Sequence, residues 1–248
     1  MKKLTAIFLL LMLALSGCGT ADTPSAPPEN SAQPPSAAPS VSPTEQPAGT
    51  PAPAESGAPV QSGGVLIAYF TAPEDVEPDG VDAVAEASIV VSEGEKLGNT
   101  EYVARLIQQA AGGELFRIET VQAYPLDHDP LVDQASEEKA ASARPELSTH
   151  VEDMARYDTI LLGYPNWWGD LPMPLYTFLE EYDLGGKTII PFITHGGSRA
   201  SRTVETISDL QPGAQVWDDP LVLSRNDVAS SADQVTSWAE GLGLTSKS

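Results

Sequence analysis

Five short apolar runs, each followed by residues at helical spacing, constrain this chain more than any other feature. Val65-Leu66-Ile67-Ala68-Tyr69-Phe70 comes first, just after a Gly pair. Glu114 to Ile118, Thr159 to Tyr164 and Thr188 to Thr194 follow, and Gln215 to Trp217 with Leu221 to Leu223 reads as an interrupted fifth. Apolar runs without alternation suit strands buried on both faces, as in a parallel sheet. Between them, Val103, Ala104, Ile107 and Ala111 share a helical face that Gly112-Gly113 ends. Leu171, Leu175, Phe178, Leu179 and Tyr182 make a second face, Val204, Ile207 and Leu210 a third, and Ala232, Val235, Ala239 and Leu242 a closing one. A polar, Ala- and Glu-rich helix is expected near Asp133 to Ala143. Thr149, with Glu152 three residues on, has the form of a capping box opening a short helix that ends near Tyr157. Strands alternating with helices give an α/β domain: a doubly wound, five-stranded parallel sheet with helices on both faces. Its ligand site belongs at the carboxyl ends of the strands.

That domain occupies residues 63–248. Ahead of it, Lys2 and Lys3, an apolar run from Ala6 to Leu15 and then Ser16-Gly17-Cys18 have the layout of a secretory signal peptide. The run is shorter than the roughly 20 residues a bilayer span needs. Small residues before a cysteine resemble the lipobox of bacterial lipoproteins, which implies that residues 1–18 address the chain for export and that Cys18, the single cysteine, carries the lipid. Residues 19–62 hold half of the chain's 22 prolines and no aromatic residue. Such a stretch buries too little apolar surface to offset its ordering entropy, so it reads as a disordered Pro/Ala/Ser-rich tether. The expected location is the extracytoplasmic face of a bacterial membrane, held by the lipid anchor alone. A formal net charge of -22 argues against nucleic acid and anionic lipid and suits a basic partner.

Three strand-end loops carry candidate chemistry. Gly98-Asn99-Thr100 opens the first helix, where unpaired backbone N–H groups and a partial positive charge suit a phosphate; a simple helix cap is the other reading of that tripeptide. Gly163-Tyr164-Pro165-Asn166-Trp167-Trp168-Gly169-Asp170 follows the third strand. Its adjacent tryptophans lie off either periodic face, so at least one is free to stack on a flat ligand or to cover the sheet end. Thr194-His195-Gly196-Gly197-Ser198 ends the fourth strand, and its glycines let the backbone approach a planar ligand closely. The histidines, His128, His150 and His195, lie in separate segments without metal-ligand spacing, so no metal site is expected.

Taken together, the Gly-Asn-Thr helix start, the Trp-Trp loop and the Gly-rich loop resemble the flavodoxin family, over nearly everything from Val65 to Leu242. More narrowly, Gly163 to Leu179 and Gly186-Lys187-Thr188-Ile189-Ile190-Pro191-Phe192 resemble a bacterial subfamily with a Trp-Trp loop. The resemblance implies a flavodoxin-like fold and non-covalent FMN. Thr71, Gly98, Asn99 and Thr100 would hold its phosphate; Pro165, Asn166, Trp167, Trp168, Thr194, His195, Gly196 and Gly197 would hold its ring. Covalent attachment is not expected, since Pro59 in Ser56-Gly57-Ala58-Pro59 stands where an acceptor hydroxyl is needed. FMN carries the electrons itself, so no catalytic acid, base or nucleophile is demanded. The function implied is electron transfer to or from a redox protein or a small-molecule acceptor. The alternatives are an NAD(P)H-dependent quinone or flavin reductase, and a non-redox ligand-binding or scaffold lipoprotein. Neutral N–H groups in an acidic domain are expected to disfavour the negative charge of reduced FMN. Between Thr71 and Gly98 stands an acid-rich insertion, Ala72 to Leu97, which reads either as a hairpin around Ile89 to Val91 that covers the flavin or as an acidic docking surface.

Overall fold

The computed structural model describes residues 63–78 and 83–244. In chain order its elements are β1 (Gly64–Tyr69), β2 (Ala83–Val84), β3 (Ile89–Ser92), β4 (Glu95–Gly98), α1 (Asn99–Ala111), β5 (Glu114–Arg117), α2 (His128–Ala140), β6 (Tyr157–Pro165), α3 (Met173–Glu181), β7 (Thr188–His195), α4 (Thr203–Leu210), β8 (Gln215–Val216), β9 (Leu221–Ser224) and α5 (Ala232–Gly241). The main sheet is parallel throughout and runs β5-β1-β6-β7-β8, with β9 also pairing β7. Counting β8 and β9 as one interrupted strand gives the doubly wound order 2-1-3-4-5. Its switch point lies between β1 and β6, where successive crossovers leave in opposite directions.

Both faces of the sheet are covered, as continuous apolar strands require. Leu66, Ala68 and Phe70 of the first run join Ile160, Leu162 and Tyr164 against Leu175, Phe178 and Ile207 of α3 and α4. Ile67 and Tyr69, one residue out of step, join Leu161, Ile190 and Phe192 against Val103, Ile107, Val235 and Ala239 of α1 and α5. No helix among the described residues is long and apolar enough to cross a membrane.

Two local expectations are corrected. The helix expected near Asp133 begins earlier, at His128, after an extended Asp127, and stops at Ala140 before Ser142 turns to φ 49°. Its start, Asp127-His128-Asp129-Pro130, carries no apolar period, but Pro is compatible with a first helical turn. The capping box at Thr149 does not form. The Thr149 hydroxyl accepts from the Glu119 N–H and donates to the Arg117 carbonyl, both at 2.9 Å. Arg117 ends β5, the edge strand, and the backbone of residues 119–121 just beyond it pairs with residues 146–148. Only a 3-10 turn, Met154–Arg156, remains of the expected helix.

The insertion is a hairpin. β2, β3 and β4 form their own antiparallel sheet, turned between β3 and β4 by Glu93 and Gly94 at φ 53° and 82°. It leaves the main fold after Thr71 and returns at Gly98, and its two ends abut: a Cβ on Gly98 would fall 2.1 Å from Thr71 Oγ1. Ile89, Val90 and Leu97 are buried, and Lys96 holds the outgoing segment by an ion pair to Asp75 at 2.5 Å.

Candidate functional site

A cleft of about 300 Å³ opens at the carboxyl ends of the strands, and residues from all three candidate loops line it. Asn99 comes from the start of α1; Pro165, Asn166, Trp167 and Trp168 from the loop after β6; Thr194, His195 and Gly196 from the end of β7. Thr71, Gly98 and Thr100 are buried next to the cleft, and Gly197 is exposed beside His195. Thr71 is buried against Gly98. Thr100 is 1% exposed, and its hydroxyl shares a 2.9 Å hydrogen bond with that of Thr194, tying the first helix to the end of β7. Gly197, at φ 137°, donates its N–H to His195 Nδ1 at 3.0 Å. Cys18 lies outside the described residues.

The inner end of the cleft is lined by Asn99 and Thr194, both buried and uncharged. Asn99 donates its backbone N–H to the Ser88 carbonyl at 2.8 Å, while its side-chain amide, oxygen and nitrogen alike, is buried without a protein partner. A buried amide with neither group satisfied costs about 1 to 3 kcal/mol, so it marks a place where something else bonds. Beside it the N–H groups of the first helical turn have no intrahelical acceptor. Glu101 in the same turn points away from the cleft, into a cluster with Arg105 at 2.7 Å and Arg117 at 3.6 Å. Burial, reinforced by Glu101, pushes Tyr69 up to about 12.

The outer end is built from a strained turn. Trp167 and Asp170 exchange backbone hydrogen bonds of 3.1 and 2.9 Å across a two-residue hairpin, with Trp168 at φ 56° and Gly169 at φ 77°. A left-handed conformation at a bulky residue costs about 1 to 2 kcal/mol and persists only where its surroundings impose it. Here Asp170 accepts from the Leu171 N–H and the Tyr176 hydroxyl, both at 2.9 Å, and Lys139 of α2 donates to the Trp168 carbonyl at 2.6 Å. The two tryptophans divide the work. Trp167 stacks edge-on with Phe70 and Tyr124 at 5.4 Å each, covering the sheet end, whereas Trp168 remains 56% exposed at the cleft. Asn166 donates to the Arg199 carbonyl at 2.8 Å and keeps a buried, unpartnered Oδ1. Burial first, and then the nearby Arg199, hold His195 below the usual imidazole range, so it is neutral at pH 7 with its proton on Nε2.

Sequence reasoning missed several lining residues. Glu74, Glu86 and Ser88 come from the insertion, His128 and Leu131 from α2, and Arg225 from the residue after β9. The insertion's strands of two to four residues are too short to show a period. Arg225 follows the fifth strand, a position that the strand-end rule alone singles out.

The family model for flavodoxin matches residues 88–242. The chain belongs to the flavodoxin family. Among solved structures it is similar to a putative flavoprotein from Bacteroides eggerthii, with 24% identity and a TM-score of 0.55 over 74% of this chain and 100% of that one. A putative flavoprotein from Bacteroides uniformis is similar at 29% identity and a TM-score of 0.51, over 70% of this chain and 99% of that one. A flavoprotein in complex with FMN from Lactobacillus acidophilus matches at 21% identity and a TM-score of 0.47, over 71% and 99% respectively. No curated protein matches this chain.

The residues present fit the family's cofactor, FMN. The orphaned amide of Asn99 and the open helix start offer neutral donors to a phosphate, and the exposed indole of Trp168 faces the same cleft as the Gly196 backbone. The insertion, left open as a cover or a docking surface, contributes a wall of this cleft through Glu74, Glu86 and Ser88.

Proposed function

We propose that this domain holds FMN non-covalently and passes electrons at the extracytoplasmic face of a bacterial membrane, tethered there through Cys18 and residues 19–62. The observation that carries the reading is a cleft with the unsatisfied neutral amide of Asn99 at its buried end and a free indole at its open end. Bound there, FMN supplies the redox chemistry. The chain's part is to bind, orient and exclude water. Asn99 and the first-turn N–H groups hold the phosphate, Trp168 and Gly196 bracket the ring, and the Asn166 Oδ1 is free to accept from a ring N–H. His195, neutral and locked to the Gly197 N–H, presents a donor Nε2 rather than a charge. The acceptor, a redox protein or a small molecule, reaches the open rim beside Trp168.

The deciding measurement is the visible spectrum of the full-length protein after incubation with FMN and removal of the excess. A retained flavin band with quenched fluorescence supports the reading; a colourless protein refutes it. Membrane attachment is tested separately. Cys18→Ser is expected to release the protein from membranes, because the lipid is the one hydrophobic anchor in the reading. Partition of that variant with membranes after a high-salt wash would refute the anchor.

A further inference from the structure

Arg225 is the one lysine or arginine among the residues that line the cleft. Its backbone N–H donates to the His195 carbonyl at 2.8 Å. Its guanidinium lies along the Gly-rich loop, close enough that a Cβ on Gly196 would stand 3.4 Å from its Nε and Cζ. On its other side Nη1 reaches the Glu86 carbonyl of the insertion at 3.4 Å. Arg105, Arg117, Arg144, Arg156 and Arg202 each hold a carboxylate, whereas Arg225 and the exposed Arg199 form no ion pair among the described residues, and of these two only Arg225 lines the cleft. A half-buried guanidinium, lying between Gly196 and the Glu86 carbonyl and left without an ion-pair partner, is placed to meet a negative charge that arrives later.

Resting on the proposed FMN site, we infer that Arg225 sets the reduction potential there by favouring the negative charge that reduction puts on the ring, and that the insertion holds it in place. Two electrons and one proton from solvent, added to the neutral oxidised ring, leave one negative charge on it. The acidity of the whole domain opposes that charge, but exposed carboxylates act through water and salt. The nearer groups weigh less than their number suggests. Glu74 bonds His128 at 2.6 Å, His195 is neutral, and Glu86 is exposed while its backbone carbonyl meets the guanidinium. This reverses, at the ring, the sign that net charge alone implies.

The test is an electrochemical titration of the full-length protein loaded with FMN, comparing the parent with Arg225→Gln and Arg225→Lys. Arg225→Gln is expected to bind oxidised FMN as the parent does and reduced FMN about tenfold more weakly, about 30 mV lower for a two-electron couple. Arg225→Lys, with a more strongly hydrated charge, should show a smaller drop in the same direction. Riboflavin in place of FMN should reproduce both drops, since it presents the same ring. An unchanged potential in Arg225→Gln overturns the inference. So does a drop seen with FMN and not with riboflavin, which makes Arg225 a phosphate ligand. If Arg225→Gln holds no flavin, Arg225→Lys decides, a drop supporting the inference and an unchanged or raised potential overturning it. A parent protein that binds no flavin refutes the FMN site itself and is thereby told apart from failure of the role of Arg225.

Discussion

The two ends of the cleft solve opposite problems. At the inner end Asn99, Thr100 and Thr194 are buried, neutral and set on the first turn of one helix and the last residues of a central strand. At the outer end Trp168 is exposed and strained, held by a two-residue hairpin and by Lys139 from α2. The inner end is rigid because the sheet and helix that make it are core elements. Its latent cost is an unsatisfied polar group. The outer end is positioned by a turn, and its latent cost is backbone strain. Both costs are of the kind that a bound ligand offsets, and folding stability alone would remove them.

The sharpest way to break this comparison is at Asn99. Asn99→Ala removes an amide whose two polar atoms have no partner in the protein. FMN binding is expected to weaken by about 1.5 to 3 kcal/mol, the worth of a hydrogen bond to a charged group, while riboflavin binding barely changes. The flavin-free protein is expected to be no less stable in urea, because a buried unsatisfied group is lost. Equal weakening of FMN and riboflavin would mean that Asn99 serves the ring rather than the phosphate.

The outer end gives the same inversion by another mechanism. Trp168→Gly removes the indole and relieves the φ of 56°. FMN and riboflavin should both bind more weakly by about 0.5 to 1.5 kcal/mol from lost stacking, while the flavin-free fold gains about 1 kcal/mol. Trp167→Ala serves as the contrast. It strips an edge-on partner from Phe70 and Tyr124, so it should lower stability more than it lowers riboflavin affinity. Binding titrations followed by flavin fluorescence, beside urea unfolding, separate the two. If Trp167→Ala proves the stronger binding variant, the exposed indole is not the stacking one.

How much of this was legible in the sequence follows the same division. The strands β1, β6 and β7 declared themselves through uninterrupted apolar runs, and α1, α3, α4 and α5 through their period. Their ends bring the three loops together because the parallel topology leaves no other arrangement. What stayed hidden depends on non-local contacts. Thr149 has the local form of a cap, yet its hydroxyl is taken by the edge of β5. The insertion is strung from strands of two to four residues, too short to show a period. Thr100 read as a hydroxyl for the phosphate; the structure seats it behind the cleft against Thr194.

That last pairing yields a smaller effect. The two hydroxyls share one hydrogen bond, so Thr100→Val, which keeps the shape, is expected to cost about 1 kcal/mol of stability. Thr194→Val should cost the same, and the double variant no more than either alone, since the second change removes a group already without its partner. Additive losses in urea unfolding would show that each hydroxyl has a separate partner, and would return Thr100 to the role of a direct phosphate donor.

The smallest effect tests whether the insertion is part of the outer end or merely lies against it. His128 Nδ1 and Glu74 Oε1 are 2.6 Å apart, joining the outgoing segment of the insertion to the first residue of α2, and the Asp75 N–H donates to the Leu126 carbonyl at 2.9 Å beside them. The hydrogen bond to Glu74 and then its charge hold His128 above the usual imidazole value of 6.5. A group whose pKa is raised on folding contributes stability that is complete below its unfolded value and is lost as pH rises through the folded one. The link should therefore be intact at pH 5.5 and weaken above the raised value. Because the imidazole is 55% exposed, water and salt screen the pair, and global stability should scarcely move. The local readout is hydrogen exchange at the Asp75 amide, corrected for the intrinsic pH dependence of exchange. Protection should fall with rising pH in the parent and become independent of pH in His128→Gln. A protection that keeps its pH dependence in His128→Gln would assign the titration to another group and leave the insertion a wall that α2 does not latch.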